Sequence, residues 1–213
     1  MSHLARSAAI LAGGQATRFG GRDKSALLVD GRTILDRQLA ELASLTADVM
    51  IVGGRRVDDG QTRGRSPESA GPHSSARVVA DLMPGCGPLG GLHAALTAAR
   101  GDHVAILACD MPYATAAFVA YLFSLATEAE IVVPRTERGY HPLCAVYTRA
   151  CLEPAAARLA DRRLRMRELV DSLRTRVVPV EEIRRFGDPD RLLANVNTPA
   201  EYAGLEALQG HEL

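Results

Sequence analysis

Residues 8–24 read AAILAGGQATRFGGRDK, a short apolar run that ends in a glycine-rich loop. The apolar run predicts a buried strand, which Gly13 and Gly14 end. Four glycines within nine residues let the backbone come close to a ligand and present consecutive amide groups to an anion. Arg18 and Lys24 add fixed positive charge. The spacing matches neither the P-loop nor the dinucleotide fingerprint. The position of the loop after the first strand, together with its two cations, predicts phosphate binding of another kind, with an ordinary turn as the alternative.

Strand-like segments alternate with helix-like segments along the rest of the chain. Apolar runs predict strands at 49–52, 77–80, 103–108, 131–133, 143–147 and 177–180. Helical spacing of apolar residues predicts helices at 34–45, 91–99, 115–126, 149–159, 165–173 and 199–208. This alternation predicts an α/β fold with a mainly parallel sheet that is covered by helices on both faces. In such sheets the ligand lies beyond the carboxyl ends of the strands.

An aspartate follows the strand predicted at 103–108. Asp110 lies in the sequence ACDMP, two residues after that strand ends. A carboxylate at the carboxyl end of a central strand is well placed to hold Mg²⁺ against a triphosphate. The alternative is a turn-forming or capping aspartate before Pro112. The presence of a phosphate loop in the same chain favours the metal role.

The connection at 81–91 is rich in proline and glycine. It reads DLMPGCGPLGG, which predicts a stiff, tight turn into the helix that begins near Gly91. Its glycines would let a flat base lie against the backbone. The alternative is a plain connection between a strand and a helix.

Two late segments supply further polar side chains. His141 precedes the strand predicted at 143–147, and Asn195 and Asn197 precede the last predicted helix. Paired asparagines offer donors and acceptors to a heterocycle. The alternative is that His141 is a structural hydrogen-bonding residue and Asn197 a turn residue. A run of arginines predicts a solvated helix face, with attraction of an anionic substrate as the alternative: Arg162, Arg163, Arg165 and Arg167.

Composition narrows the class of protein. The chain has 213 residues, and its 25 basic side chains balance its 25 acidic ones. Proteins that coat nucleic acids or adhere to membrane surfaces need a positive excess, so neither partner is expected. No run approaches the ~18 apolar residues that span a bilayer, and no signal peptide is evident. Four cysteines without close pairing predict reduced thiols in a cytoplasmic protein.

The length of the chain predicts one domain over residues 1–213. Residues 55–76 contain many glycine, proline, serine and charged residues and almost no apolar ones, which predicts a flexible surface loop. A lid over the site and a tolerated insertion are the two interpretations. The small entropic cost of lengthening a loop favours the insertion.

Together these motifs resemble the molybdenum cofactor guanylyltransferase family, within the nucleotide-diphospho-sugar transferase-like nucleotidyltransferases. The resemblance extends from Ile10 to about Leu205. It is carried by Leu11-Ala12-Gly13-Gly14, Arg18, Gly20-Gly21, Asp23-Lys24, the segment 81–91, Cys109-Asp110-Met111-Pro112, His141-Pro142-Leu143 and Asn195-Val196-Asn197-Thr198-Pro199. The glycine loop and the strand-end aspartate occur in many nucleotidyltransferases. Their combination with the turn at 87–91 and the two asparagines is much more specific.

The resemblance implies a three-layer α/β/α, Rossmann-like fold and transfer of GMP from GTP to molybdenum-bound molybdopterin, with release of pyrophosphate. It implies Mg²⁺ on Asp110, with Mn²⁺ as the alternative metal, and catalysis by Lys24, Arg18 and Asp110. The implied GTP-binding residues are Leu11, Ala12, Gly13, Gly14, Lys24, Asp81 and Asp110. The implied acceptor-binding residues are Asn195, Asn197, Gly91 and His141. Besides the two substrates, proteins that mature molybdoenzymes are expected partners.

Other functions stay open. A cytidylyltransferase of the same cofactor and a sugar-1-phosphate nucleotidyltransferase are the alternative enzymes. Gly14 favours guanylyl transfer by resemblance, because cytidylyl relatives usually carry Ala-Ala-Gly in this loop. A nucleotide-binding adaptor without catalysis is the alternative from another class, and the intact Lys24 and Asp110 argue against it. Two departures from the family pattern are Phe19 for the usual methionine and Gly53 where relatives often carry a guanosine-binding asparagine.

Overall fold

The computed structural model describes residues 5–12, 28–29, 31–53 and 76–196. Its strands are β1 (Arg6–Leu11), β2 (Leu28–Val29), β3 (Arg32–Thr33), β4 (Val49–Val52), β5 (Arg77–Val79), β6 (His103–Ala108), β7 (Ile131–Thr136), β8 (Gly139–Tyr140), β9 (Cys144–Thr148) and β10 (Thr175–Val178). Its helices are α1 (Ile34–Ala43), α2 (Gly87–Ala98), α3 (Ala116–Ser124), α4 (Leu152–Ala160), α5 (Met166–Ser172), α6 (Val180–Ile183) and α7 (Pro189–Leu192), with 3₁₀ turns at Arg149–Cys151 and Arg184–Phe186.

The central sheet is mixed and mostly parallel. Its strand order is β10-β7-β9-β6-β1-β4-β5, and β8 pairs with β7 as a short hairpin. β1 runs parallel to both of its neighbours, with Ile10 opposite Leu107 of β6 and Ile51 of β4. β9 runs antiparallel to β6 and β7, so β7 points the same way as β6. The carboxyl ends of β1, β4, β5, β6 and β7 therefore share one edge of the sheet.

Helices cover both faces of the sheet. Ala8 and Ile10 of β1 belong to a buried cluster with residues of α1 and α3. Ala9 and Leu11 belong to a second cluster with residues of α2, α4 and α5. The alternation follows from the two-residue period of a strand, which sends neighbouring side chains to opposite faces. The α/β fold, with a mainly parallel and doubly covered sheet in three layers, is confirmed.

Most predicted elements occur within a few residues of the expected positions. Helix α1 begins after Thr33, whose hydroxyl accepts a hydrogen bond from the Asp36 N–H, a usual N-cap. The short elements β2, β3, β8, α6 and α7 were not predicted, because two to four residues are too few to show a period. The closing helix predicted at 199–208 and the predicted loop 55–76, apart from Ala76, lie outside the described residues. No helix within the described ranges has the length and apolar character to cross a bilayer.

A buried carboxylate joins the strands at the amino edge of the sheet, opposite the edge just described. Asp48 is 8% exposed and accepts hydrogen bonds from Ser7 Oγ (2.6 Å), the Arg100 N–H (2.9 Å) and Arg77 Nη2 (2.6 Å). Burial alone would raise the pKa of Asp48. The hydrogen bonds from Ser7, Arg100 and Arg77 outweigh burial and hold this pKa below its ordinary value.

Replacing Asp48→Asn should lower the free energy of unfolding by about 2 to 3 kcal/mol at pH 7, since the hydrogen bonds that it loses involve a charged group. A carboxylate with a lowered folded-state pKa stabilises the protein above its unfolded pKa, near 4, and loses that effect as the pH falls through the folded value. The difference between wild type and variant should therefore shrink below about pH 4. Urea denaturation of both proteins from pH 7 to pH 3 measures this difference in the free energy of unfolding. A difference that stays constant over this range would contradict the assignment.

Candidate functional site

The ends of β4, β1 and β6 lie side by side and carry predicted site residues. Just past β1, the Ala12 N–H donates to the Val52 carbonyl of β4 (2.8 Å). On the other side, the Cys109 N–H donates to the Leu11 carbonyl (3.2 Å). Backbone pairing thus continues beyond the strands. Leu11 and Ala12 lie between the ends of β4 and β6, at the edge where ligands of α/β sheets bind.

Asp110 lies in a tight turn that follows β6. The Met111 N–H donates to the Ala108 carbonyl (3.3 Å), which closes a four-residue turn with Asp110 in third place. The carbonyl of Asp110 accepts a hydrogen bond from the Val196 N–H (2.8 Å). Asp110 itself is half-buried. The turn therefore connects the end of a central strand to the segment that contains Asn195.

Gln38 of α1 ties both ends of this turn to the helix. Its side-chain amide donates to the carbonyls of Ala108 (2.7 Å) and Met111 (2.9 Å), and the residue is 1% exposed. No motif marks Gln38 in the sequence. The available signal is its place four residues after Ile34 and four before Leu42, which puts a polar residue on the buried face of an amphipathic helix.

Asp81 organises the connection from β5 to α2. Its Oδ1 accepts a hydrogen bond from the Met83 N–H (3.0 Å). Helix α2 begins at Gly87, so the prediction of a start near Gly91 is wrong by one turn. Pro88 is the reason, because its fixed φ and missing N–H suit the first turn of a helix. Gly87 enters that helix with φ +61°, a conformation that favours glycine.

Two glycines let α2 pack closely on the end of β1 and on the connection that precedes the helix. A Cβ on Gly91 would lie 3.2 Å from the Leu11 side chain, and one on Gly90 would lie 3.1 Å from the Met83 carbonyl and 3.4 Å from Asp81 Oδ1. The connection and the end of β1 thus form one continuous wall. Gly91 is buried in this packing, and its contact with an acceptor stays a prediction.

His141 lies at the same edge, just before β9. Its Nε2 is 2.9 Å from Thr136 Oγ1, and its backbone N–H donates to the Pro134 carbonyl (2.9 Å). Burial, followed by the positive charge of Arg138, lowers the pKa of His141, while Asp190 partly opposes this effect. The ring is therefore neutral at neutral pH. These contacts place His141 at the base of the β7–β8 hairpin, and its contact with an acceptor stays a prediction.

Of the two predicted asparagines, Asn195 is among the described residues and Asn197 is not. Asn195 is exposed and directly precedes buried Val196, which contacts the Asp110 carbonyl. One end of the asparagine segment therefore lies beside the Asp110 turn. The predicted residues outside the described part of the chain are Gly13, Gly14, Arg18, Lys24 and Asn197.

The four predicted arginines are exposed and partly ion-paired, but the prediction of a helix face is wrong, because only Arg167 lies in a helix and the other three lie in the connection between α4 and α5. Arg163 lies 3.2 Å from Glu168, and Arg167 lies 3.5 Å from Asp171. Such pairs are typical of a solvated face. Arg167 also lines a cavity of about 430 Å³ beside the β7–β8 hairpin, together with Arg135 and other residues of that hairpin. This cavity had no signal in the sequence, because its walls come from separate segments.

Comparison with known proteins gives consistent matches. Residues 8–177 match the family described as MobA-like NTP transferase domain. A molybdenum cofactor guanylyltransferase of Desulfosudis oleivorans is 33% identical over 200 residues, which cover 93% of each chain.

Two solved structures share the fold. The molybdopterin-guanine dinucleotide biosynthesis protein A of Archaeoglobus fulgidus superposes with a TM-score of 0.74 at 22% identity and covers 96% of this chain and 98% of its own. A cytidylyltransferase of Leptospira borgpetersenii reaches 0.68 at 18% identity, covering 99% and 89%. At these identities the structures establish the fold alone. The family match spans most of the sequence, and the chain belongs to the MobA-like NTP transferase family of nucleotidyltransferases.

Proposed function

We propose that this protein transfers GMP from GTP to molybdenum-bound molybdopterin and releases pyrophosphate. The observation that carries the proposal is the position of Asp110, in a turn that contacts the end of β1 on one side and Val196 on the other. A wall at the end of β1 that binds the nucleotide and a wall at the segment with Asn195 that binds the acceptor would thus meet at the Asp110 carboxylate. Guanylyltransferase relatives that are about a third identical over nearly the whole chain support the choice of substrates.

The carboxylate oxygens of Asp110 are suitable ligands for Mg²⁺, with Mn²⁺ as the second choice. Within the described residues, no group of three or more histidine, cysteine, aspartate or glutamate side chains could hold a metal by itself. Mg²⁺ is usually held by one or two carboxylates together with substrate phosphates. Asp110 would supply the protein ligand, and the bound ion would neutralise charge on the phosphate oxygens.

The nucleotide would lie along the wall formed by β1 and the connection to α2. Leu11 and Ala12 would contact the nucleoside, and Asp81 would accept hydrogen bonds from guanine. Around the phosphates we place a further set of residues: Gly13, Gly14, Arg18 and Lys24. The two cations among them would offset the charge that develops on departing pyrophosphate.

The acceptor would approach from the other side of Asp110. Asn195 and Asn197 would bind the pterin, and neutral His141 would complete this wall. Gly91, which packs against Leu11 in the opposite wall, would meet the acceptor from that side. The terminal phosphate of molybdopterin is already ionised, so its attack on the α-phosphorus needs no general base. Holding the two substrates in line is then the main task of the protein.

Pyrophosphate release separates this proposal from its alternatives. Purified protein with GTP, Mg²⁺ and molybdenum-bound molybdopterin should release pyrophosphate and form the guanine dinucleotide. A cytidylyltransferase would instead require CTP, and a sugar-1-phosphate transferase would require a sugar phosphate as acceptor. A non-catalytic adaptor would bind nucleotide without any release. We further place the reaction in the cytoplasm and expect proteins that mature molybdoenzymes to receive the product.

Replacing Asn195→Ala together with Asn197→Ala should abolish acceptor binding and leave GTP affinity unchanged. Short side chains with donors and acceptors suit a pterin edge. If the asparagines instead cap the helix predicted after Thr198, their loss should cost about 1 kcal/mol of stability. Calorimetry with molybdopterin and with GTP, combined with thermal melting, measures the three quantities. A variant that melts a few degrees lower but still binds molybdopterin normally would show that the asparagines are structural.

A further inference from the structure

We infer that Gln38 is a positioning residue, which fixes the turn that presents Asp110 and thereby sets the affinity for the divalent metal held with the nucleotide. This inference rests on the proposed function, because it takes Asp110 as the metal ligand. Gln38 itself touches no reacting group. It acts through the backbone on either side of Asp110.

One planar amide spans the whole turn. The two N–H groups of the Gln38 side chain reach the carbonyl of Ala108, two residues before Asp110, and that of Met111, one residue after it. Both distances, 2.7 and 2.9 Å, are those of good hydrogen bonds. Because the two donors belong to one rigid group, they hold the ends of the turn in a fixed relation.

Two further anchors among the described residues hold the turn from other directions. The Cys109 N–H donates to the carbonyl of Leu11, and the Asp110 carbonyl accepts from Val196. These bonds fix the middle of the turn to β1 and to the asparagine segment. Gln38 fixes the turn to helix α1, which is itself packed in the core through Leu39 and Leu42. The backbone of Asp110 is thus held from three sides.

The chemistry of Gln38 argues against a role as a simple core residue. Its Oε1 is buried and makes no hydrogen bond among the described residues. A buried acceptor without a partner is unfavourable, and an apolar side chain of similar size at this position would avoid it. Methionine or leucine would fill the space, but neither could donate to the two carbonyls. The two donated bonds are therefore the property that distinguishes glutamine here.

The variant Gln38→Met tests the inference, because it keeps the length of the side chain and removes both donors. We expect its Mn²⁺ affinity, measured by EPR with GTP present and no acceptor, to fall roughly tenfold or more, as for other outer-shell partners of metal sites. The rate of transfer at a fixed, subsaturating Mg²⁺ concentration should fall by a similar factor, with the KM for the acceptor unchanged. Gln38→His keeps one donor, so its Mn²⁺ affinity should lie between those of wild type and Gln38→Met. It replaces Gln38→Met in the test if the methionine variant does not fold.

Ser7→Ala is the matched control. It removes a buried side-chain hydrogen bond at the amino end of β1, far from the turn. This control should lower the Tm and leave Mn²⁺ affinity unchanged. If Gln38→Met binds Mn²⁺ with wild-type affinity, whatever its Tm, the inference is overturned.

Asp110→Asn separates failure of this inference from failure of the proposed function. If Asp110→Asn loses Mn²⁺ affinity while Gln38→Met keeps it, only the role of Gln38 is wrong. If Asp110→Asn keeps wild-type Mn²⁺ affinity, the metal assignment is wrong and the inference falls with it. Loss of affinity in both variants supports both assignments.

Discussion

Asp110→Asn is expected to reduce GMP transfer by at least roughly a thousandfold while the protein stays folded. A metal ion contributes several kcal/mol of transition-state stabilisation, and each 1.36 kcal/mol corresponds to about a tenfold change in rate. The substitution keeps the shape of the side chain, and the backbone bonds of the turn to Ala108 and Val196 do not involve it. Product formation at saturating Mg²⁺, with thermal melting as the check on folding, measures the effect.

Asp102→Asn provides a matched control for this experiment. Asp102 precedes the same strand, β6, at its opposite end, and it is exposed. Its contact with Arg149 is a surface ion pair at 3.6 Å, whose loss should change stability by less than about 1 kcal/mol. Transfer should therefore stay near the wild-type rate. Near-normal turnover in Asp110→Asn as well would exclude Asp110 as the metal ligand.

The second large effect is the choice of nucleotide: GTP should bind roughly a hundredfold or more tightly than CTP or ATP with Mg²⁺ present. A site that hydrogen-bonds one base edge rejects other bases because its own polar groups are left unpaired. Guanine carries N–H donors where a carboxylate such as Asp81 can accept them. Oδ1 of Asp81 already accepts the Met83 N–H, which orients the carboxylate within the connection to α2.

Calorimetry with the three nucleotides measures this preference directly. Asp81→Asn should weaken GTP binding much more than CTP binding, because the amide offers one acceptor oxygen instead of two. Asp161→Asn, which changes an exposed aspartate after α4, should leave all three affinities unaltered. Equal affinity for GTP and CTP in the wild type would contradict the guanylyl assignment and favour the cytidylyl alternative.

The candidate site could be predicted in part from the sequence. Leu11, Ala12 and Asp110 were placed at strand ends by apolar runs followed by polar or glycine residues, and the structure has them at one edge of the sheet. Their chemical roles stay predictions. The role of Gln38 could not be predicted, because its partners are about 70 residues away along the chain. A single polar residue on the buried face of a helix does not say which backbone groups it will meet.

Local patterns by themselves determined the longer strands and helices and the α/β class of this protein. A buried strand needs a run of apolar residues, a covered helix needs an apolar stripe, and both can be read within a few residues. The direction of β9 and the contact between Val196 and Asp110 were decided only by the tertiary structure. These features depend on which backbone groups find partners across the sheet. Hydrogen bonding between distant segments has no period that the sequence can display.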